Sequence, residues 1–166
     1  MMNKQNVSSF RNARPEDAPT ITRFLRELAE HDGHGDECHI TVDDIVQFGF
    51  SDNPKFEVTL VEVDGEPQGL ALYFMTFSIW AVSPCLFISD LYVTEQCRGL
   101  GIGRKLFSYL AAEAKERGCK RMEWQVLHEA DAVQFYKSMG GKVVDGFHNY
   151  RVEGNFLDSL ASAAAK

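Results

Sequence analysis

A length of 166 residues suits one domain with a single sizeable core, and 45% hydrophobic with 25% charged residues is ordinary for a soluble globular protein. The net charge of -7, from 24 acidic against 17 basic residues, argues against a nucleic-acid surface and favours a cationic ligand. No apolar run is long enough to span a membrane, Met1–Asn6 lacks the apolar core of a secretion signal, and Cys38, Cys85, Cys97 and Cys119 lack paired metal-ligand spacing; together these predict a cytoplasmic protein with reduced thiols.

Ser9–Ala13 reads as a short first strand stopped at Pro15. Ile21, Phe24, Leu25, Leu28 and Ala29 then form a helical stripe that ends before Gly33. His31, His34 and His39 surround Asp36, Glu37 and Cys38, but their spacing fits no standard zinc pattern, so this stretch reads as a loop on the substrate side with no metal. Thr41 followed by Asp44 makes a near capping box for a short helix through Phe48. Phe56–Val63 and Gln68–Phe77 read as strands joined at Asp64-Gly65, a strong hairpin signal. The stretch Leu70–Phe77 is apolar on both faces, which predicts a central strand.

Leu86–Val93 is a further buried strand that ends at Thr94-Glu95, and Phe107, Leu110, Ala111 and Ala114 mark one face of a helix ending near Gly118. Arg121–Val126 alternates like a strand; Ala132, Phe135, Tyr136 and Met139 make another helical stripe, with His128 a surface residue before it. Lys142–Asp145 and Phe147–Val152 read as two closing strands about Gly146, and the tail Ala161–Ala165 ends a short helix or frays. The order predicts an α+β domain over residues 1–166: a mixed sheet with helices on both sides.

Between the strand at Leu86–Val93 and the following helix lies Gln96-Cys97-Arg98-Gly99-Leu100-Gly101-Ile102-Gly103-Arg104. Glycines at alternate positions remove the side chains that would hold the backbone away from a ligand, so successive N–H groups can face phosphate oxygens. The helix start adds partial positive charge, and Arg98 and Arg104 add whole charges. It is not a Walker loop, because Arg104-Lys105-Leu106 stands where Gly-Lys-Ser/Thr is required. Nor is it a dinucleotide fingerprint, because it reads G-x-G-x-G. Cys97 reads as a small filler residue within it.

The segment Gln96–Gly101 resembles the pyrophosphate loop of the GCN5-related N-acetyltransferases (GNAT), whose pattern is Gln/Arg-x-x-Gly-x-Gly/Ala. Those enzymes carry a Phe-Tyr pair before a glycine on a later helix, matched here by Phe135-Tyr136 before Gly140. The chain further resembles the diamine (spermidine/spermine) and thialysine acetyltransferase branch. The segments that carry this are Leu25–Asp32, Gly49–Pro54, Gly69–Phe77 leading to Trp80, Asp90–Val93 and Tyr150-Arg151.

The resemblance implies a mixed, mostly antiparallel sheet of about seven strands, acetyl-CoA as co-substrate, no metal, and a homodimer that uses the C-terminal strands. It implies that Leu91, Tyr92 and Val93 lie along the pantetheine arm, between splayed strands carrying Leu91 and Trp124. Arg98, Gly99, Leu100, Gly101, Ile102, Gly103 and Arg104 would hold the pyrophosphate, with Phe135 and Tyr136 also on the cofactor. Tyr136 would be the general acid for the departing thiolate, although an aromatic in that stripe is also expected simply to pack.

The acidic side departs from the branch. Ser89 stands where relatives carry a glutamate thought to relay the amine's proton; a serine hydroxyl is a poor base, which leaves Asp90, another carboxylate or a water chain. Ser78 replaces an acidic residue before Trp80, and Glu129 replaces an asparagine that contacts the cofactor. Asp32 and Asp90 remain for a cationic acceptor, with Trp80 as an apolar or cation–π wall; Asp32 is equally read as a solvated helix-end residue. The leading expectation is acetylation of a primary amine on a small cationic molecule. The alternatives are a protein or peptide amine as acceptor, or a non-catalytic acyl-CoA binder with no nucleic-acid or membrane partner.

Overall fold

Strands buried on both faces build a five-stranded sheet in the order β1-β2-β3-β4-β5, seen in a computed structural model that describes residues 8–127, 132–146 and 149–164. β1 (Ser8–Asn12), β2 (Glu57–Val63), β3 (Glu66–Ser78) and β4 (Ser83–Val93) run antiparallel to their neighbours, and β5 (Arg121–Trp124) lies parallel to β4. Three helices, α1 (Ala18–His31), α2 (Val42–Gly49) and α3 (Ile102–Glu116), share a unit with the sheet, residues 1–127. A second unit, residues 128–166, holds α4 (Ala132–Ser138) and α5 (Asn155–Ala163).

The predicted hairpin forms with two residues between paired Val63 and Glu66, and Asp64 and Gly65 both take positive φ, as this turn demands. β3 is central, as its apolar run predicts: Leu70 through Tyr73 are all buried between β2 and β4. Leu60 and Val61 face opposite ways. Leu60, Leu70, Leu72 and Tyr92 pack with Ile21 and Phe24 of α1 and Ile45 of α2. On the other face Phe10 of β1 stacks on Tyr109 of α3 at 5.2 Å, and Phe107 of α3 meets Trp124 of β5 edge-on at 5.1 Å. Phe24 is fully buried, so truncating it to alanine would cost about 3–5 kcal/mol.

Caps and ion pairs fix the helices on this sheet. Thr41 and Asp44 complete the capping box of α2, the Thr41 N–H donating to Asp44 Oδ2 at 2.9 Å and Thr41 Oγ1 accepting from the Asp44 N–H. Arg117 forks onto Glu57 at 2.6 and 2.7 Å and reaches Glu113 at 3.2 Å, tying the end of α3 to the start of β2. Gly118 closes α3 at φ 74°.

The expected count of about seven strands is corrected to five among the described residues. Lys142–Asp145 forms no strand, and Val143 and Val144 are 75% and 73% exposed. In the second expected strand, 147 and 148 lie outside the described residues and 149–152 carry no regular structure. Alternating sequence supplies strand propensity, but a strand also needs a neighbour to bond to, and a lone pair is marginal. His128 and Glu129 lie outside the described residues too.

Candidate active site

β4 carries an irregularity that the sequence pattern does not announce. Its pairing with β3 runs Tyr73 to Ile88 and then Leu72 to Asp90, so Ser89 is an extra residue with no partner, a β-bulge. The parallel pairing with β5 covers Cys85 to Ile88 and stops at Trp124. From Ser89 to Val93 the outer edge of β4 therefore has no strand beside it among the described residues. Such an edge offers unpaired N–H and C=O groups to any extended ligand, and Leu91 and Val93 lie on it.

The bulge sets the face on which Asp90 lies. Ser89 is exposed, while Asp90 is half-buried and shares the α1 face of β4 with Tyr92. Burial raises the Asp90 carboxyl above the ordinary carboxylate range; the Ser89 hydroxyl bonds to it and opposes that, and the nearby charge of Asp32 reinforces it. Asp32 is the exposed cap residue at the C-terminus of α1. The charge of Asp32 thus acts on Asp90, next to Ser89, and carboxylates of this kind attract a cation.

Trp80 is elsewhere. It is 98% exposed at the tip of the β3–β4 hairpin, beyond the last pair Ser78–Ser83. At ~3.3 Å per residue the strand from Ser83 to Asp90 separates the tip from Asp90 by roughly 20 Å. Ser78, at the family's acidic position, is buried and accepts a hydrogen bond from the Ala81 N–H at 3.1 Å, so it shapes this turn.

The glycine-rich turn follows β4 directly. Glu95–Cys97 makes one tight helical turn, and Gly99 and Gly101 then take φ of 75° and 77°, which L side chains rarely adopt. A Cβ on either would stand in open space, within 4 Å of nothing in the protein. That open cradle at the start of α3, next to exposed Arg98 and Arg104, suits the pyrophosphate of coenzyme A. Buried Ile102 anchors the helix behind it, and Leu100 is half exposed.

Sequence reasoning missed what holds this turn. Gln68 Oε1 accepts from Thr94 Oγ1 at 2.7 Å, from Gln96 Nε2 at 3.0 Å and from Cys97 Sγ at 3.7 Å, while the Gln68 carbonyl accepts from the Thr94 N–H at 2.9 Å. Cys97 is buried, as its filler role requires. Arg98 Nε donates to the Val93 carbonyl at 3.0 Å. A lone glutamine on a strand bears no motif, so only its register, beside Thr94, gives it away.

In the second unit Phe135 and Tyr136 lie next to each other on α4, both half-buried, with ring centroids 5.1 Å apart. His34 Nδ1 lies 3.2 Å from Glu37 Oε1, and among the described residues no three His, Cys, Asp or Glu side chains converge as a metal site. Among them, too, no helix is long and apolar enough to cross a membrane.

Comparison with known proteins places these features in context. Residues 20–140 match the acetyltransferase (GNAT) family. The chain is 33% identical to thialysine N-epsilon-acetyltransferase of Sus scrofa, over 92% of this chain and 96% of that protein. It is 30% identical to the human spermidine/spermine N(1)-acetyltransferase-like protein 1, over 92% of this chain and 23% of that protein. An integron cassette protein from the mobile metagenome of V. cholerae has a similar structure, with a TM-score of 0.78 at 26% identity, covering 93% of this chain and 97% of that one.

Proposed function

Because this chain belongs to the GNAT acetyltransferase family, we propose that it transfers the acetyl group of acetyl-CoA to a primary amine of a small cationic molecule, a diamine, polyamine or lysine-like amino acid. Its class, an N-acetyltransferase using acetyl-CoA, follows from the family. The choice of acceptor rests chiefly on Asp90, a half-buried carboxyl next to the Ser89 bulge and beside the unpaired edge of β4, with the charge of Asp32 acting on it. The names of the thialysine and spermidine/spermine relatives support the same class of acceptor.

In this reading the exposed edge of Leu91-Tyr92-Val93 pairs with the extended pantetheine arm, and the turn from Arg98 to Arg104 takes the pyrophosphate on backbone N–H groups and guanidinium charge. Acetyl-CoA supplies a thioester carbonyl as the electrophile. Asp32 holds the acceptor's second cationic group, and Asp90 takes the proton of the attacking amine and passes it to solvent past the exposed Ser89 hydroxyl. A carboxyl held above its ordinary range is a better proton acceptor than an unperturbed one. As the new N–C bond forms and the C–S bond breaks, Tyr136 gives its phenolic proton to the thiolate. The Phe135-Tyr136 motif supports this role, and Phe135 packs beside the acid.

We place both units in one catalytic domain of a cytoplasmic homodimer without a nucleic-acid or membrane partner. The apolar hairpin tip, Phe77, Ile79, Trp80 and Val82, supports pairing. Trp80 would then wall the acceptor site of the second copy, being too far from Asp90 of its own.

A thiol-release assay with acetyl-CoA against putrescine, spermidine, spermine, lysine, thialysine and basic peptides tests the proposal. Turnover confined to the small amines is expected. Turnover of peptides alone would make it a protein acetyltransferase, and coenzyme A binding without release on any amine would make it a binder.

A further inference from the structure

The ring of Tyr92 stands between α1 and the glycine-rich turn. Its hydroxyl donates to Glu27 Oε2 at 2.8 Å, its ring packs against Phe24 at 5.5 Å, and the guanidinium of Arg98 lies 5.7 Å from the ring centroid. Glu27 is held from a second side by Arg23, 3.0 Å away. A buried phenol without a partner is costly, so Glu27 decides how this ring sits. Tyr92 keeps its proton for this bond, since burial and then Glu27 push its phenol up to about 12. Arg98 in turn has its Nε on the Val93 carbonyl. A guanidinium is a rigid planar fork, so fixing Nε and the face that lies toward Tyr92 fixes the directions of its remaining donors.

We propose that Glu27 is a positioning residue for cofactor binding: by orienting Tyr92 it sets the platform for Arg98 and so aims the free donors of that arginine at the pyrophosphate. This rests on the assignment of Arg98 to the pyrophosphate made above. Glu27 touches no reacting atom. Its effect belongs in the affinity for coenzyme A and in the KM for acetyl-CoA, with kcat at saturation unchanged.

The test is calorimetric titration of the full chain with coenzyme A, together with steady-state kinetics, for Glu27→Ala, Glu27→Gln, Arg98→Ala and the Glu27→Ala/Arg98→Ala pair. Loss of a weak cation–π platform and its orienting bond predicts roughly three- to tenfold weaker binding and higher KM for Glu27→Ala. Glu27→Gln keeps an acceptor oxygen and should rescue binding. In the Arg98→Ala background Glu27→Ala should add nothing, because the group it positions is gone. Unchanged binding in Glu27→Ala while Arg98→Ala binds weakly, or two losses that multiply in full, overturns the inference alone. Unchanged binding in Arg98→Ala overturns the pyrophosphate assignment and this inference with it. Should Glu27→Ala not fold, Tyr92→Phe, which removes the bond and keeps the ring, carries the same comparison with Arg98→Ala.

Discussion

Gly101 and Gly118 bracket α3 at its two ends with nearly equal φ, 77° and 74°, and in both a Cβ would meet nothing within 4 Å. Replacing either with alanine therefore carries the same backbone cost, about 1–2 kcal/mol for an L residue in the left-handed region. For a chain of this size that lowers Tm by roughly 2–8 °C in each variant. Only Gly101 lies in the proposed pyrophosphate cradle. There the new methyl occupies the space a phosphate would take, and losing one or two hydrogen bonds to a charged oxygen, about 1.5–3 kcal/mol each, raises the KM for acetyl-CoA at least tenfold. Melting curves and steady-state kinetics on the two single variants separate the effects. Matched destabilisation with a KM increase confined to Gly101→Ala is expected. Equal KM values in the two variants would refute the assignment of the cradle to coenzyme A.

Asp90→Asn should raise stability at neutral pH and lower turnover. The folded-state carboxyl is raised, so an ionised Asp90 penalises folding as pH climbs through its folded pKa; the gain from asparagine should vanish below about pH 4, where Asp90 is protonated folded and unfolded alike. Melting curves from pH 3 to 8 check it, and a stability difference independent of pH would contradict it. Tyr136→Phe should cut kcat by roughly 10²- to 10⁴-fold with little change in the KM for acetyl-CoA, the sign of a lost general acid. An unchanged kcat would return Tyr136 to a packing role.

Features set by local chemistry were legible in the sequence. Asp64-Gly65 takes the positive φ its hairpin needs, Thr41 and Asp44 cap α2, and the apolar run from Leu70 lies on β3 in the middle of the sheet. The turn from Gln96 to Arg104 was legible as a turn because alternate glycines supply the positive φ it takes at Gly99 and Gly101. Features set by pairing between distant segments were not. Nothing in Leu86–Val93 marks Ser89 as a bulge, since a bulge is a mismatch in length against β3, and strand composition does not encode it. Tyr92 reads as one more apolar strand residue, and its hydroxyl matters only because α1 brings Glu27 to it. Asp32 had two readings of equal weight, and its place as the exposed cap of α1, with its charge acting on Asp90, suits both. Trp80 was grouped with those carboxylates by family order, whereas the hairpin carries it to its exposed tip.

Initial rates with 1,4-diaminobutane and with butylamine, at saturating acetyl-CoA, test the acceptor assignment most directly. The two amines share chain length and reacting group and differ in the second charge that Asp32 would hold. We predict at least a tenfold preference for the diamine in kcat/KM, falling toward parity in Asp32→Asn. Equal rates in the unsubstituted enzyme, or a preference that survives Asp32→Asn intact, would contradict an acid pair that selects a small cationic amine.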